Sequence, residues 1–290
     1  MRLRNYIKKL KLFNLSEKIN ILLFSAGTVI HNRLNKNTFK TYLVFAELQR
    51  KQIPVEKIGD SNRIIKEING KKIEAVLRRD SSDALVYEQL ILEEEYLEII
   101  KLFQTKNLSL ETMIDAGANI GLAALYFKAF YPNVKIVALE PSDETYKRLE
   151  KNLSINNVEN VKALKQGVWK ENTFLHLDKG FRDKSDWAFR LLENKNPEMN
   201  TIKVENIDTI LRANNWERLD LLKMDIEGGE VGIFESQEVV KNWISKVKVI
   251  VVEIHDEYEC RENIYGLLKQ NHFSIEESKS LTIAVNTALT

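Results

Sequence analysis

From Leu110 onward the apolar residues change period repeatedly, from short continuous or alternating runs to three-and-four spacing, and this confines the chain to an α/β fold. Residues 112–115, 134–140, 161–165, 219–225 and 247–255 read as strands. Residues 120–130, 142–156, 207–213 and 231–240 read as the helices between them. A helix over 261–271 then leads to two closing strands, 273–276 and 282–285. Residues 174–177 and 201–204 are further extended pieces. Strands and helices in alternation imply a largely parallel sheet with helices on both faces, and such a sheet binds its ligand at the carboxyl ends of its strands.

Upstream the texture differs. Residues 1–52 read as helices, with Leu3, Ile7, Leu10, Leu15, Ile19, Leu22 and Leu23 at helical spacing and Pro54 closing the pattern. Ile64, Ile65 and Ile68, then Asn69-Gly70, then Ile73, Ala75 and Leu77 give a β-hairpin with an Asn-Gly turn. Residues 83–104 read as helical with an acidic exposed face. The expected organisation is a basic helical extension over 1–54, a hairpin and lead-in over 55–109, and an α/β domain over 110–290.

Four sites at expected strand ends carry the chemistry. In Met113-Ile114-Asp115-Ala116-Gly117-Ala118-Asn119-Ile120-Gly121, a strand delivers Asp115 to the sheet edge. Gly117 and Gly121 permit a tight turn and close approach to a ligand, and the next helix aims its first amides at the same place. Glu140 ends the following strand, 25 residues later, where an acid can accept two ribose hydroxyls. A dinucleotide fingerprint would need a second glycine where Ala118 and Asn119 stand. A carboxylate at Asp115 repels pyrophosphate but pairs with an amino group, which suits an adenosine ligand with an amino-acid tail, such as S-adenosylmethionine. In Leu222-Lys223-Met224-Asp225-Ile226-Glu227-Gly228-Gly229-Glu230 the acids crowd around Lys223 at another strand end, an arrangement that is costly unless it binds something or shifts its protonation. Glu253-Ile254-His255 ends the fifth strand, and His255 is a candidate base near neutral pH.

Composition removes other classes. The one cysteine, Cys260, rules out a disulfide within the chain, and four scattered histidines give no zinc-ligand spacing. No metal site is assigned, although Asp225 and Glu227 are oxygen ligands of the kind magnesium takes. The apolar run at 19–30 is too short for the roughly 20 residues that span a bilayer, and His31-Asn32-Arg33 follows where a secretory signal would need small residues. The expected location is cytoplasmic. Residues 1–51 hold eleven Lys or Arg against two acids, a charge of +9, so the remaining 239 residues carry −8. A basic, partly apolar arm suits peripheral contact with an anionic membrane on its inner face, or packing within a homodimer. With no reading motif and an acidic sheet edge, nucleic acid is not an expected partner.

The stretches IDAGANIG, ALEPS, LLKMDIEGGE and VVEIH, in this order and spacing, resemble the FkbM family of methyltransferases, as does the lead-in from Asp83-Ala84-Leu85 to Glu95-Tyr96. The likeness covers roughly residues 73–255, and KMDIEGGE is its specific part. It implies a Rossmann-like, seven-stranded class I methyltransferase sheet whose final strand is antiparallel. It implies S-adenosyl-L-methionine as donor and a hydroxyl of a sugar, glycan or natural product as acceptor. Carried over, Asp115, Gly117, Asn119 and Gly121 would hold the methionine part, Glu140 the ribose, and Gly167 and Val168 would flank the adenine. Asp225, Glu227 and His255 would face the methyl group and acceptor, with Asp225 or His255 as base. The likeness departs at Trp169, where many relatives carry a small acidic residue. Two other readings fit the same sheet: an NAD-type oxidoreductase, opposed by the missing glycine, and a catalytically silent glycan- or partner-binding scaffold, opposed by Asp115, Glu140 and Asp225 being in place.

Overall fold

The computed structural model describes Leu15, Lys18, Ile19 and residues 36–79, 81–178, 190–193 and 201–290. Apart from those first three, the expected helices over 1–35 lie outside the described residues. The chain divides into two compact units, Met1–Glu94 and Glu95–Thr290.

The first unit contains helix α1 (Lys36–Arg50), strands β1 (Val55–Ile58), β2 (Ser61–Ile68) and β3 (Lys71–Arg78), and the short helix α2 (Asp83–Tyr87), followed by a wide turn over Glu88–Leu92. The turn at Asn69-Gly70 has positive φ at both residues, 48° and 74°, as a two-residue hairpin with right-handed strand twist demands. Tyr42, Phe45 and Leu48 of α1 are buried at three-residue spacing, while Leu43 is half exposed. Arg78 and Asp83 form a bidentate pair (Nη2–Oδ1 2.7 Å, Nε–Oδ2 3.1 Å), and Asp83 is fully buried. The boundary at Glu94 and the sequence divisions at 54 and 109 do not coincide, because α1 packs on β1 and α2 rather than standing apart.

The second unit begins with α3 (Leu97–Thr105). It continues through β4 (Thr112–Ala116), α4 (Leu122–Phe130), β5 (Lys135–Leu139), α5 (Asp143–Ile155) and β6 (Val161–Leu164). Four short strands follow or interleave: β7 (Gly167–Val168), β8 (Thr173–Asp178), β9 (Arg190–Glu193) and β10 (Thr201–Glu205). Then come α6 (Ile207–Ala213), β11 (Leu219–Met224), α7 (Glu230–Ile233), α8 (Gln237–Val240), β12 (Val247–Glu253), α9 (Arg261–Gln270), β13 (Phe273–Ser278) and β14 (Leu281–Asn286). Where the sequence suggests one helix over 231–240, the chain makes two short ones separated near Ser236, whose backbone is extended.

The main sheet has seven strands in the order β13-β14-β12-β11-β4-β5-β6. β12, β11, β4, β5 and β6 are parallel, and β14 runs antiparallel between β12 and β13. β11 is buried along its whole length, as the apolar run in its sequence requires of a central parallel strand. At the amino ends of the strands, Asp220 accepts the N–H groups of Glu111 (2.7 Å) and Thr112 (3.0 Å) and pairs with Lys248 at 2.5 Å, so one acid ties three neighbouring strands together. A smaller sheet, β7-β10-β8-β9, holds both extended pieces expected from sequence and adds β9. The sheet order reverses between β5-β4 and β11-β12, which opens the crevice where doubly wound sheets bind ligands.

Candidate active site

The loop after β4 is shaped by contacts within the protein. Gly117 has φ +75°, and a Cβ there would lie 1.8 Å from the Asp225 carbonyl oxygen. Glycine is therefore required at this tight turn, where the loops after β4 and β11 meet backbone to backbone. The N–H groups of Gly117 and Ala118 both donate to the Leu139 carbonyl, at 3.1 and 2.9 Å. Gly121, at φ +86°, starts α4 where a Cβ would press within 2.9 Å of Leu149. Asn119, at φ +50°, donates its backbone N–H to Glu140 Oε2 at 3.0 Å, and Ser142 donates its own to Oε1 at 2.8 Å. Glu140 is thus fixed across the loop from Asn119.

Beneath the loop, the register of β4 and β11 sets Lys223 directly opposite Asp115. Both are buried, Asp115 completely. Lys223 Nζ donates to the Gly117 carbonyl at 2.7 Å and lies 3.1 Å from Asp115 Oδ1, an ion pair without an aligned hydrogen bond. Asp115 Oδ2 has no donor among the described residues. Burial pushes the Asp115 carboxyl up, opposed by the charge of Lys223. Burial alone would push the Lys223 ammonium down, but the Asp115 and Asp225 carboxylates outweigh it and hold it above its ordinary value.

The ends of β11 and β12 bring Asp225, Glu227 and His255 together, with one candidate ligand atom from each inside 4.8 Å of the others. Glu227 takes a left-handed backbone, φ +55°, and Gly228 follows at +94° with the Tyr258 ring where a Cβ would fall. This turn sets Glu227 Oε2 3.5 Å from His255 Nε2, while Glu230 Oε1 lies 3.3 Å from His255 Nδ1. Glu230 is fully buried and accepts the N–H of Ile226 at 3.1 Å. Burial would lower the His255 pKa, but Glu230 and Glu227 outweigh it and raise it to about 9. The raised pKa favours the imidazolium at neutral pH, with an acid beside each ring nitrogen. Asp225 and His255 both stay candidates for the base.

Sequence reasoning passed over Glu253. Burial, then Asp225 and Glu95, push its carboxyl to about 8, so it is largely a neutral acid at pH 7. Its signal is the lone acid closing the apolar run of β12. Tyr96 is fully buried, and burial together with the charge of Glu95 raises its hydroxyl well above the ordinary value. Just after β6 in the chain, Gly167 and Val168 form β7, buried and paired with Val204 and Glu205. The Trp169 ring packs where a Cβ on Gly232 would come within 2.6 Å, and its buried Nε1 has no partner among the described residues.

A seven-stranded sheet in this order, with an acid at the end of β4, a second at the end of β5 and a third at the end of β11, is the arrangement of a class I methyltransferase. The sequence profile of the methyltransferase FkbM domain matches residues 115–275, and the chain belongs to that family. Methyltransferase sdnD of Sordaria araneosa is 29% identical over 198 residues, covering 58% of this chain and 75% of its own. Methyltransferase 1 of Beauveria bassiana is 27% identical over 181 residues, covering 56% and 72%. Among solved structures, precorrin-6y C5,15-methyltransferase from Geobacter metallireducens aligns at 15% identity over 61% of this chain and 78% of its own, with a TM-score of 0.35.

Proposed function

We propose that this methyltransferase takes its methyl from S-adenosyl-L-methionine and delivers it to a hydroxyl of a sugar, glycan or natural product. The observation that carries the cofactor reading is Asp115. A fully buried carboxylate with an oxygen lacking any donor among the described residues is a poor arrangement in isolation and a good one for receiving an ammonium group. Glu140, held by the backbone N–H groups of Asn119 and Ser142 at the neighbouring strand end, is an acid of the kind that accepts ribose hydroxyls. Gly167, Val168 and the Trp169 indole stand at the next strand end, where the base of an adenosine would lie. These residues fit the cofactor at both its ends.

When bound, the sulfonium supplies a methyl already activated for displacement. What remains for the chain is to align the acceptor oxygen and accept its proton. Alignment can be worth up to roughly 7–11 kcal/mol and a positioned base about 10²–10⁴-fold. Asp225 is the base in this reading. Its carboxylate would take the proton of the acceptor hydroxyl. His255, cationic between Glu227 and Glu230, fixes the turn that carries Glu227. Neutral Glu253 can donate a hydrogen bond to an acceptor oxygen and adds no further negative charge. Crowded carboxyl groups with one neutral and one paired to imidazolium suit a polyhydroxylated acceptor, which needs both donors and acceptors of hydrogen bonds.

Transfer of labelled methyl from S-adenosylmethionine to a panel of sugars, nucleotide sugars and polyhydroxylated natural products tests the reading. Label appearing on an oxygen of one class supports it. Label on a nitrogen or carbon, or on none of the panel while the cofactor binds, contradicts the acceptor half.

A further inference from the structure

The Lys223 ammonium occupies an unusual position. It is buried in the middle of the sheet, one strand from Asp115 in strict register, and touches two groups of the loop that carries the proposed cofactor site. Its 2.7 Å bond holds the Gly117 carbonyl, and its charge lies 3.1 Å from Asp115 Oδ1. Both Asp115 oxygens are buried and lack an aligned donor among the described residues, whereas the Gly117 carbonyl already accepts from Lys223. A lysine this deep is costly to bury unless its charge is used. Packing alone does not account for it, because the neighbouring positions Leu222 and Met224 are filled by apolar side chains that need no partner.

We propose that Lys223 is a positioning residue for the amino-acid end of the cofactor, fixing the Asp115 carboxylate and the Gly117 carbonyl so that together they receive the ligand's ammonium. The inference rests on the S-adenosylmethionine reading above. The charge of Lys223 opposes the burial that favours the neutral acid at Asp115, and a neutral acid cannot pair with an ammonium. It also ties the loop carbonyl to the rigid central strand, which keeps the receiving groups from rotating away. In this arrangement the ligand ammonium binds Oδ2 while Lys223 stays on Oδ1. The adenosine end, held from Glu140 and the β7 region, is not touched by Lys223.

The test separates the two ends of the ligand. Lys223→Gln is compared with wild type by calorimetry against S-adenosylhomocysteine and against 5′-methylthioadenosine, which lacks the amino-acid tail. We expect tenfold or greater loss of S-adenosylhomocysteine affinity, with methylthioadenosine affinity within twofold of wild type. Equal loss for both ligands marks a merely structural lysine and overturns the proposal, as does unchanged S-adenosylhomocysteine affinity. If Lys223→Gln alone fails to fold, Asp115→Asn is compared with the charge-neutral double variant Asp115→Asn with Lys223→Gln. No further loss of S-adenosylhomocysteine affinity on the second change supports action through Asp115, and a further tenfold loss contradicts it. A wild-type protein that binds neither ligand contradicts the cofactor reading, a result distinguishable from failure of Lys223's role.

Discussion

Asp225 and His255 have atoms inside a 4.8 Å cluster, yet their chemistry diverges because of what flanks the histidine. Glu227 and Glu230 approach the two ring nitrogens at 3.5 and 3.3 Å and hold the proton to about pH 9. From sequence the two residues are interchangeable as bases, since nothing in VVEIH shows that an acid from the next turn of chain will sit on each nitrogen. With the proton fixed on His255, Asp225→Asn should lower turnover about 10²–10⁴-fold. Its affinity for S-adenosylhomocysteine should stay within about threefold, because the base acts on the acceptor; rate and affinity falling together would give Asp225 a cofactor role instead. The histidine also leaves a mark on stability. Its folded pKa, about 9, exceeds its ordinary 6.5, so its contribution is whole below pH 6.5 and lost as pH rises through 9. Glu253 acts in the same sense, from 4.5 to about 8. Melting measured from pH 6 to pH 9.5 should show falling stability as pH rises, and His255→Gln should flatten the upper part of that fall. An identical slope in the variant would remove His255 from the titration.

At the scale of elements, the alternation of apolar periods made the main strands legible, because buried parallel strands and amphipathic helices each leave a strong pattern. β1 was not legible, since only Val55 of its residues is even partly buried and the others are exposed. β9 was missed because four residues among polar neighbours leave no period to read. Lys223 was visible as a charge in an apolar run, but its partner follows from the β4–β11 register, which a sequence does not state. The glycines of the cofactor loop were legible as necessary for a tight turn, but the loop that Gly117 meets was not. Gly117 is necessary because the loop after β4 meets the loop after β11 backbone to backbone. Gly117→Ala should therefore destabilise by about 2–4 kcal/mol, combining left-handed strain of about 1 kcal/mol with overpacking of about 1–3 kcal/mol. Denaturant unfolding measures this, and a loss under about 1 kcal/mol would mean the two loops are free to separate.

Across the whole molecule, Asp220 at one end of the sheet differs from Asp115 and Glu253 at the other. Asp220 at the amino ends is met by three backbone or lysine donors, as a structural acid should be. Asp115 and Glu253 at the carboxyl ends are left with a missing donor or a raised pKa, which is how an acid prepared for a ligand differs from one that only holds strands together. Among the described residues no helix is long and apolar enough to cross a membrane. The charge of the chain remains lopsided, +9 over residues 1–51. We propose that this basic segment gives peripheral contact with anionic lipid, at about 1 kcal/mol per basic residue near the surface. Co-sedimentation with phosphatidylglycerol vesicles at low salt, lost in high salt and lost on deleting residues 1–12, is the expected result. No binding at low salt would leave the segment without that role.

The crevice at the carboxyl ends of β4, β5 and β11, in the reading proposed above, takes an adenosine bearing an amino-acid tail. Calorimetry with S-adenosylmethionine and, separately, with NAD tests this. One-to-one binding of S-adenosylmethionine is expected, weakened by about 1.5–3 kcal/mol in a folded Glu140→Ala variant, with no saturable binding of NAD. Saturable binding of NAD with none of S-adenosylmethionine would contradict it.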